Sequence, residues 1–411
     1  MRILVLNSGS STQKCSLYEI ERNLPTDPAM PLWEAKIEWN QGDVQVHVRN
    51  AEGANLRQRV KVKSHIDAIE RLLNTLWTGD AKSVSGPSEI DLAGHRIVHG
   101  GQRFKEPTPI TAEVRSAIAS MSAFAPLHNR AELEGIDIVE RKLGSISQIA
   151  VFDTSFHSQL PDAAAVYPGP YEWISRGIRR YGFHGINHQY CSERAAQLLG
   201  RDLKSLKLIT CHLGNGCSLA AIRDGRSVDT TMGFTPLDGL MMGTRSGAVD
   251  PGILTYLMRQ DGLGGQQLDE LLNTRSGLLG ISGTSSDMRE IVANMKAGDA
   301  RARLALDVFI HRLQSGIGAM IGVLGGLDAL VFTAGIGENS AEVRATACAN
   351  FGFVGLKLDS FKNAQASRDQ DISAPGSPVR VLVIRAQEDW AIAKECWRIV
   401  SGKTQGQASA R

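Results

Sequence analysis

Asn7-Ser8-Gly9-Ser10-Ser11-Thr12-Gln13-Lys14 packs small hydroxyl side chains and a lysine into one turn-prone stretch. Such a turn can offer backbone N–H groups, hydroxyls and an ammonium to phosphate oxygens. It is not a P-loop, which needs a glycine directly before its lysine and a helix after it; here Gln13 precedes Lys14 and strand-like residues follow. Taken alone, it reads equally as a serine-rich hairpin turn. His212-Leu213-Gly214-Asn215-Gly216 is a second turn of this kind, and two such turns could close on a nucleotide tail. A third segment, Val331 to Asn339, runs from an apolar strand into Gly335-Ile336-Gly337 and then into a helix beginning near Ser340. Strand, GxG and helix suit a nucleotide, although the third glycine and the acidic residue of a dinucleotide site are missing.

Arg96 and Arg245 each lie among glycines, in Gly94 to Gly101 and in Gly243 to Gly247. A guanidinium fork matches carboxylate and phosphoryl oxygens, so one arginine from each half of the chain suggests a clamp on a transferring group. Phosphate chemistry also calls for Mg²⁺ held by one or two carboxylates. Asp153 ends the apolar run Ile149 to Phe152, and Glu388 follows Val379 to Ile384. Strand ends are where α/β ligands bind, and Asp153 is the better placed; either acid could also be an ordinary loop residue. His184 and His188 have the i, i+4 spacing of a zinc pair, but Gly185 stands where the glutamate of that motif belongs. An aspartyl nucleophile at Asp153 would want a second Asp two residues on, and Ser155 is there.

The elements that must hold these groups follow from periodicity. Ile3 to Leu6 and Cys15 to Tyr18 flank the first turn, and Leu208 to Cys211 and Cys217 to Ile222 flank the second, so each half opens on a hairpin. The repetition suggests a duplicated architecture. Val44, Val46, Val48, Val60 and Val62 alternate with other residues, as in a meander, and Ser64 to Thr75 has helical spacing. Residues 78–90 read as a polar loop, 91–98 as a strand, Arg301 to Val323 as a helix and Ala329 to Thr333 as a strand. Alternating strands and helices indicate an α/β protein.

A chain of 411 residues exceeds what one core usually serves, so two domains are expected. Lys plus Arg is 45 and Asp plus Glu is 43, a net charge of only +2, which points away from a nucleic-acid or membrane-surface partner. The apolar start Met1 to Leu6 breaks at Asn7, too short for a signal peptide, and no run approaches the roughly 20 apolar residues of a membrane span. Six scattered cysteines without a CxxC pair suit core thiols in a reduced cytoplasm.

Together the segments LNSGSS, GHRIVHGG, APLHNR, VFDTSFH, RRYGFHG, CHLGNGCS, MGFTPLDGLMMGTRSG, ISGTSSDMRE and FTAGIGEN resemble the acetate kinase family, within the acetate and sugar kinase, heat-shock chaperone and actin superfamily. They run in order along nearly the whole chain. The resemblance implies an α/β protein of two lobes, each with an actin-like or ribonuclease H-like βββαβαβα core, and an active site in the cleft between them. Residues 1–152 with a returning C-terminal helix, 390–411, would form the carboxylate-side lobe, and 153–389 the nucleotide-side lobe. It implies ATP-dependent, reversible phosphorylation of acetate, with ATP or ADP as co-substrate, Mg²⁺ or Mn²⁺ as cofactor, and a cytoplasmic homodimer.

By resemblance, Arg96 and Arg245 would hold the carboxylate and the transferring phosphoryl group, and His184 would hydrogen-bond its oxygens. Asp153 and Glu388 would position the metal, with Asn7 organising the same end. Asn215 and Gly216 would lie along the phosphates with His212 and Lys14 nearby, and Gly335, Ile336 and Asn339 beside the nucleotide. Val98, Leu127, Phe183 and Pro236 would line the pocket for the substrate methyl. Thr12 replaces the family's usual serine, Ala248 stands where an acid is common, Gln387-Glu388-Asp389 replaces Asn-Glu-Glu, and residues 22–63 match least. A carboxylate of pKa about 4 is already an anion at neutral pH, so no general base is expected. The expected problem is charge repulsion, met by cations in an in-line transfer, with a phosphoenzyme as the rival route. Propionate or butyrate as acceptor, a non-catalytic nucleotide-gated binding protein and a zinc hydrolase are the competing readings.

Overall fold

A computed structural model describes the chain apart from residues 10–11, 40–42, 122–125, 368 and 409–411 and the side chains of 126–130 and 403–408. Ser10, Ser11 and the Leu127 side chain therefore lie outside the described residues. The chain forms two compact units, Met1–Ser155 with Gln387–Arg411, and Phe156–Ala386. These borders differ by a few residues from the expected 152/153 and 389/390 division, and they place Asp153 and Glu388 in the first unit. The Asp153 N–H donates to Ile97 O at 2.8 Å, which ties it to the first sheet.

The first unit is built on one sheet. In chain order its strands are β1 (Arg2–Ser8), β2 (Thr12–Glu19), β3 (Trp33–Trp39), β4 (Val44–Asn50), β5 (Asn55–Val60), β6 (Leu92–Ile97), β7 (Thr108–Pro109) and β8 (Ser147–Phe152). They lie in the order β5-β4-β3-β2-β1-β6-β8-β7. β1 to β5 pair antiparallel as a meander, while β1, β6 and β8 run parallel. The runs Ile3 to Leu6 and Ile149 to Phe152 are apolar without alternation because the sheet is covered on both faces. One cover is the helix Glu388–Ala408, packed on β1 and β6; a Cβ on Gly94 would run into Cys396 Sγ and Ile392. The helices His65–Asn74 and Pro126–Leu143 supply Ile69, Leu72, Leu73, Ile138 and Val139 to a core cluster that also holds Leu4, Leu6, Trp33 and Ile37. Ser64 caps the former by accepting from Asp67 N at 3.2 Å.

The second unit repeats the plan. Its strands are β9 (Lys207–Leu213), β10 (Cys217–Arg223), β11 (Arg226–Thr230), β12 (Ala329–Thr333), β13 (Gln370–Asp371) and β14 (Arg380–Val383), in the order β11-β10-β9-β12-β14-β13. β9, β10 and β11 are antiparallel, and β9, β12 and β14 parallel, the same sense and order as β1, β2, β3, β6 and β8. The expected duplication is therefore present in the topology. The long helix Ala300–Leu324 packs on β9 and β10, with Leu306, Phe309, Leu313, Ile317 and Met320 among its buried residues. It ends on Gly325 in the left-handed region, φ 63°, where a side chain would be strained. Among the described residues no helix is long and apolar enough to cross a membrane.

Candidate active site

In the first unit, parallel pairing of β1, β6 and β8 brings three strand ends together. Leu6 pairs with His95 and Ile97 with Phe152, so Asn7, Arg96 and Asp153 collect at one sheet edge. Arg96 Nη2 donates to Asp153 Oδ2 at 2.6 Å and Nη1 to Ser8 O at 2.9 Å. Both side chains are nearly inaccessible, 11% and 1% exposed. Burial works against the Arg96 charge, but Asp153 and then Glu388 outweigh it and hold the guanidinium cationic. Sequence reading gave Arg96 and Asp153 separate tasks; the structure makes them one buried ion pair.

Asn7 Nδ2 donates to Glu388 Oε2 at 3.0 Å and to Asp389 Oδ1 at 2.8 Å, and Ser16 Oγ donates to Asp389 Oδ2 at 2.8 Å. Asp389 thus has both oxygens engaged by side chains of the first hairpin, at the first turn of the C-terminal helix. Lys14 is exposed on β2, paired across the hairpin with Asn7. Val98 is buried, and its N–H donates to Glu132 Oε1 at 3.0 Å.

Glu132 went unnoticed in the sequence. It shares a helix face with Ile136 and Val139, an acid at an apolar position, and that was the available signal. Burial pushes its carboxyl up to about 8, against the N–H of Val98 and the charge of Arg96. Its Oε2 has no hydrogen-bond partner among the described residues.

In the second unit the geometry centres on His184. This residue sits just before the helix Gly185–Leu199 with φ 57° and ψ 22°, a left-handed conformation uncommon outside glycine. Its ring stacks on His212, centroids 3.9 Å apart and planes 12° apart. His184 Nδ1 lies 2.9 Å from Ser218 Oγ, and the same oxygen lies 2.7 Å from His188 Nε2. His188 Nδ1 in turn meets Thr210 Oγ1 at 2.6 Å. Asn187 Nδ2 donates to His212 Nδ1 at 2.9 Å, which leaves the His212 proton on Nε2. Burial holds His188 well below the ordinary histidine range, with His157 and His212 adding to it, so its ring is neutral.

The turn between β9 and β10 supplies the other groups. A Cβ on Gly216 would lie 3.3 Å from His184 Cε1, 3.4 Å from His184 Nε2 and 3.6 Å from Arg245 Nη1. Glycine there leaves an imidazole and a guanidinium converging over bare backbone. Arg245 Nη1 also donates to Pro236 O at 3.4 Å. The Gly243 N–H donates to Asn215 O at 3.0 Å, and Asn215 Oδ1 fills the space a Cβ on Gly243 would need. Phe183 is buried, its carbonyl accepting from His157 Nε2 at 3.1 Å. Asp250, beside the unusual Ala248, caps the helix Pro251–Gln260 by accepting from Gly252 N at 2.8 Å.

The segment after β12 departs from expectation. Gly335 and Gly337 were read as a loop before a helix starting at Ser340; they lie inside a short helix, Ala334–Asn339, followed by a second, Ala341–Cys348. The residue with positive φ is Ala334, at 65°, and neither glycine. Ala334 Cβ and His212 Nε2 are each 3.8 Å from where a Gly214 side chain would begin, so this helix abuts the β9–β10 turn. Gly335 and Asn339 are exposed and Ile336 half-buried, with Asn339 Nδ2 donating to Gly335 O. Arg344, only 2% exposed, fastens the segment by donating to Gly337 O, Glu338 O, Asn363 Oδ1 and Asn363 O. Sequence reading missed it.

No group of three or more His, Cys, Asp or Glu side chains able to hold a metal occurs among the described residues. The carboxylates present suit a hard cation completing its shell with phosphate oxygens and water rather than an all-protein cage. Arginines paired with acids, stacked imidazoles and exposed backbone around glycines are suited to anions, and specifically to charge developing on oxygens.

A family model for the acetokinase family matches residues 2–394. The acetate kinase of Nostoc punctiforme is 59% identical over 403 residues, covering 97% of this chain and all of that protein. The acetate kinase of a Cyanothece species is 56% identical over 407 residues, covering 98% of this chain. Among solved structures, an acetate kinase from Porphyromonas gingivalis is 39% identical with a TM-score of 0.88, covering 97% of this chain and 99% of that one. A propionate kinase from Francisella tularensis is 38% identical with a TM-score of 0.87, covering 96% and 98%. With the two-sheet duplicated fold and these shared lengths, the chain belongs to the acetokinase family.

Proposed function

We propose that the chain transfers a phosphoryl group reversibly between ATP and acetate. The observation that carries this reading is the convergence of His184 Nε2 and Arg245 Nη1 over Gly216, a cationic and hydrogen-bonding surface without a side chain in the way. The names of relatives more than half identical along the whole chain favour acetate.

Two anions must meet, and repulsion is the barrier to lower. Arg96, held rigid by Asp153 and Ser8 O, and Arg245, held at Pro236 O, neutralise the acceptor carboxylate and the transferring group. His184 donates to the phosphoryl oxygens as charge shifts onto them, and Asn215, Gly216 and His212 lie along the phosphates, with Lys14 adding charge. Gly335, Ile336 and Asn339 hold the nucleoside end. Asp153 and Glu388 would hold Mg²⁺, which would spread the charge of the β- and γ-phosphates; Asn7 orients Glu388. Asp389, its two oxygens taken by Asn7 and Ser16, serves as support. Transfer in this reading is direct and in line, with the ionised carboxylate attacking without a base. Net retention at a chiral phosphorus would exclude a single displacement.

Val98, Phe183 and Pro236 would contact the methyl group of the acceptor. Propionate is the second reading, favoured by the solved relative named a propionate kinase. Hydroxylamine trapping of acyl phosphate, with kcat/KM for acetate, propionate and butyrate, tests both. Failure to form acyl hydroxamate from ATP and any of the three would sink the proposal. The working form is a cytoplasmic homodimer. None of the six cysteines forms a disulfide and all are buried, which suits a reducing compartment, and Ile253, Tyr256 and Met258 stand exposed on a helix with no buried residue.

A further inference from the structure

We propose that Thr210, His188 and Ser218 form a directed hydrogen-bond relay that fixes His184 in the tautomer carrying its proton on Nε2. The chain of contacts is Thr210 Oγ1 to His188 Nδ1 at 2.6 Å, His188 Nε2 to Ser218 Oγ at 2.7 Å, and Ser218 Oγ to His184 Nδ1 at 2.9 Å. Thr210, His188 and Ser218 are fully buried.

A neutral imidazole has one donor and one acceptor, and a hydroxyl has one proton and two lone pairs; were Ser218 to accept from both rings, its own buried proton would have no acceptor among the described residues, so protons along this chain point the same way. If they point towards His184, Thr210 donates to His188 Nδ1, His188 Nε2–H donates to Ser218, and Ser218 donates to His184 Nδ1. Every buried donor then has an acceptor, and the His184 proton sits on Nε2. If they point the other way, His188 Nδ1–H donates to Thr210 Oγ1. The Thr210 hydroxyl proton then has no acceptor among the described residues, since His188 is the sole hydrogen-bond partner of that oxygen there. Leaving a fully buried hydroxyl proton unpaired is the costlier choice, so the relay runs from Thr210 to His184. The neutrality of His188, enforced by its burial, is what makes the relay directional; a doubly protonated ring would donate both ways.

The consequence lies at the Gly216 end. His184 presents an N–H, not a lone pair, towards the space it shares with Arg245 Nη1. A lone pair there would repel phosphoryl oxygens. Thr210, His188 and Ser218 are accordingly positioning residues. Their effect on turnover rests on the proposed contact between His184 and the transferring phosphoryl group; the tautomer itself does not.

The test uses the full chain labelled with ¹⁵N-histidine, and long-range ¹H–¹⁵N correlation spectra assigned through His184→Gln. The native protein should show His184 as the Nε2–H tautomer. Thr210→Val keeps the shape but removes the proton at the head of the relay, and Ser218→Ala removes the bridge. Each should give His184 a mixed tautomer population, with kcat reduced about tenfold and KM for the carboxylate changed less than twofold. A native His184 protonated on Nδ1 or on both nitrogens overturns the relay, and this reading stands whether or not a variant folds. An unchanged tautomer in a folded Thr210→Val protein overturns it as well, since a purely structural role would lower stability and leave the ring as it was. Loss of the Nε2–H tautomer with undiminished kcat upholds the relay and refutes the catalytic role given to His184.

Discussion

Glu132→Gln should stabilise the protein increasingly as pH rises, although it removes an acid beside Arg96. The Glu132 carboxyl titrates near 8 in the folded protein, against 4.5 when unfolded, because its surroundings exclude water. Between those values the folded state binds the extra proton, so stability falls as pH rises through this window. Below 4.5 both states are protonated and the group contributes nothing; above 8 the loss is complete. Each pH unit inside the window costs about 1.4 kcal/mol, which amounts to about 3 kcal/mol by pH 7 and about 5 kcal/mol in the limit. Glutamine keeps an oxygen for the Val98 N–H, which Glu132 Oε1 accepts at 3.0 Å, and has no charge to desolvate.

Two compact units need not unfold together, so the quantity to measure is the difference in melting temperature between wild type and Glu132→Gln. Titrations common to both proteins cancel in it. Scanning calorimetry at pH 5, 6, 7 and 8 should find the variants within about 1–2 °C at pH 5. By pH 7 glutamine should melt higher, by about 4 °C if the chain melts as a whole and about 9 °C if the first unit melts alone. A difference that does not grow with pH would refute the assignment of a neutral buried carboxyl.

Arg96→Ala and Arg245→Ala should each lower kcat about 100-fold or more, the scale of losing one preorganised charge contact, with lysine a poor rescue in steady-state assays. Arg96→Ala should also lower the melting temperature, because it removes the cation paired with the buried Asp153 carboxylate. Gly216→Ala should lower kcat about tenfold while shifting the melting temperature by less than about 2 °C, since its Cβ would press on the His184 ring edge at Cε1 and lie against Arg245 Nη1, not on the core. Val98→Ala should raise kcat/KM for propionate relative to acetate by about 10-fold, the worth of roughly one methylene, when the two acids compete.

The hairpins and parallel strands were legible because strand runs such as Ile3 to Leu6 and Ala329 to Phe332 are apolar without break and give way to polar or glycine-bearing segments. The duplicated order of the two sheets was visible in the paired hairpins alone. Pairing at long range was not. Arg96 and Asp153 lie 57 residues apart and meet only because β6 and β8 run parallel in one register, so two individually chosen residues turned out to be a single charged pair. Ala334 shows the converse limit: glycines drew attention to the segment after β12, yet the strained backbone falls on the residue before them, where sequence carries no mark.

The histidines at 184 and 188 show how much a residue spacing leaves undecided. Spacing of four would bring two side chains to one side of a helix, but His184 stands just before the helix in a left-handed conformation, so only His188 is placed by helical geometry. What lies between the two rings is decided by a strand 30 or more residues away. Here it is Ser218 Oγ, 2.9 Å from one ring and 2.7 Å from the other, at distances and with a proton that a metal ion would not share. A hydroxyl placed there passes direction instead of charge, so the buried ring can govern the outer one while remaining neutral. The same two histidines around a cation would each have to offer it a lone pair, whereas the hydroxyl lets one ring donate and the other accept.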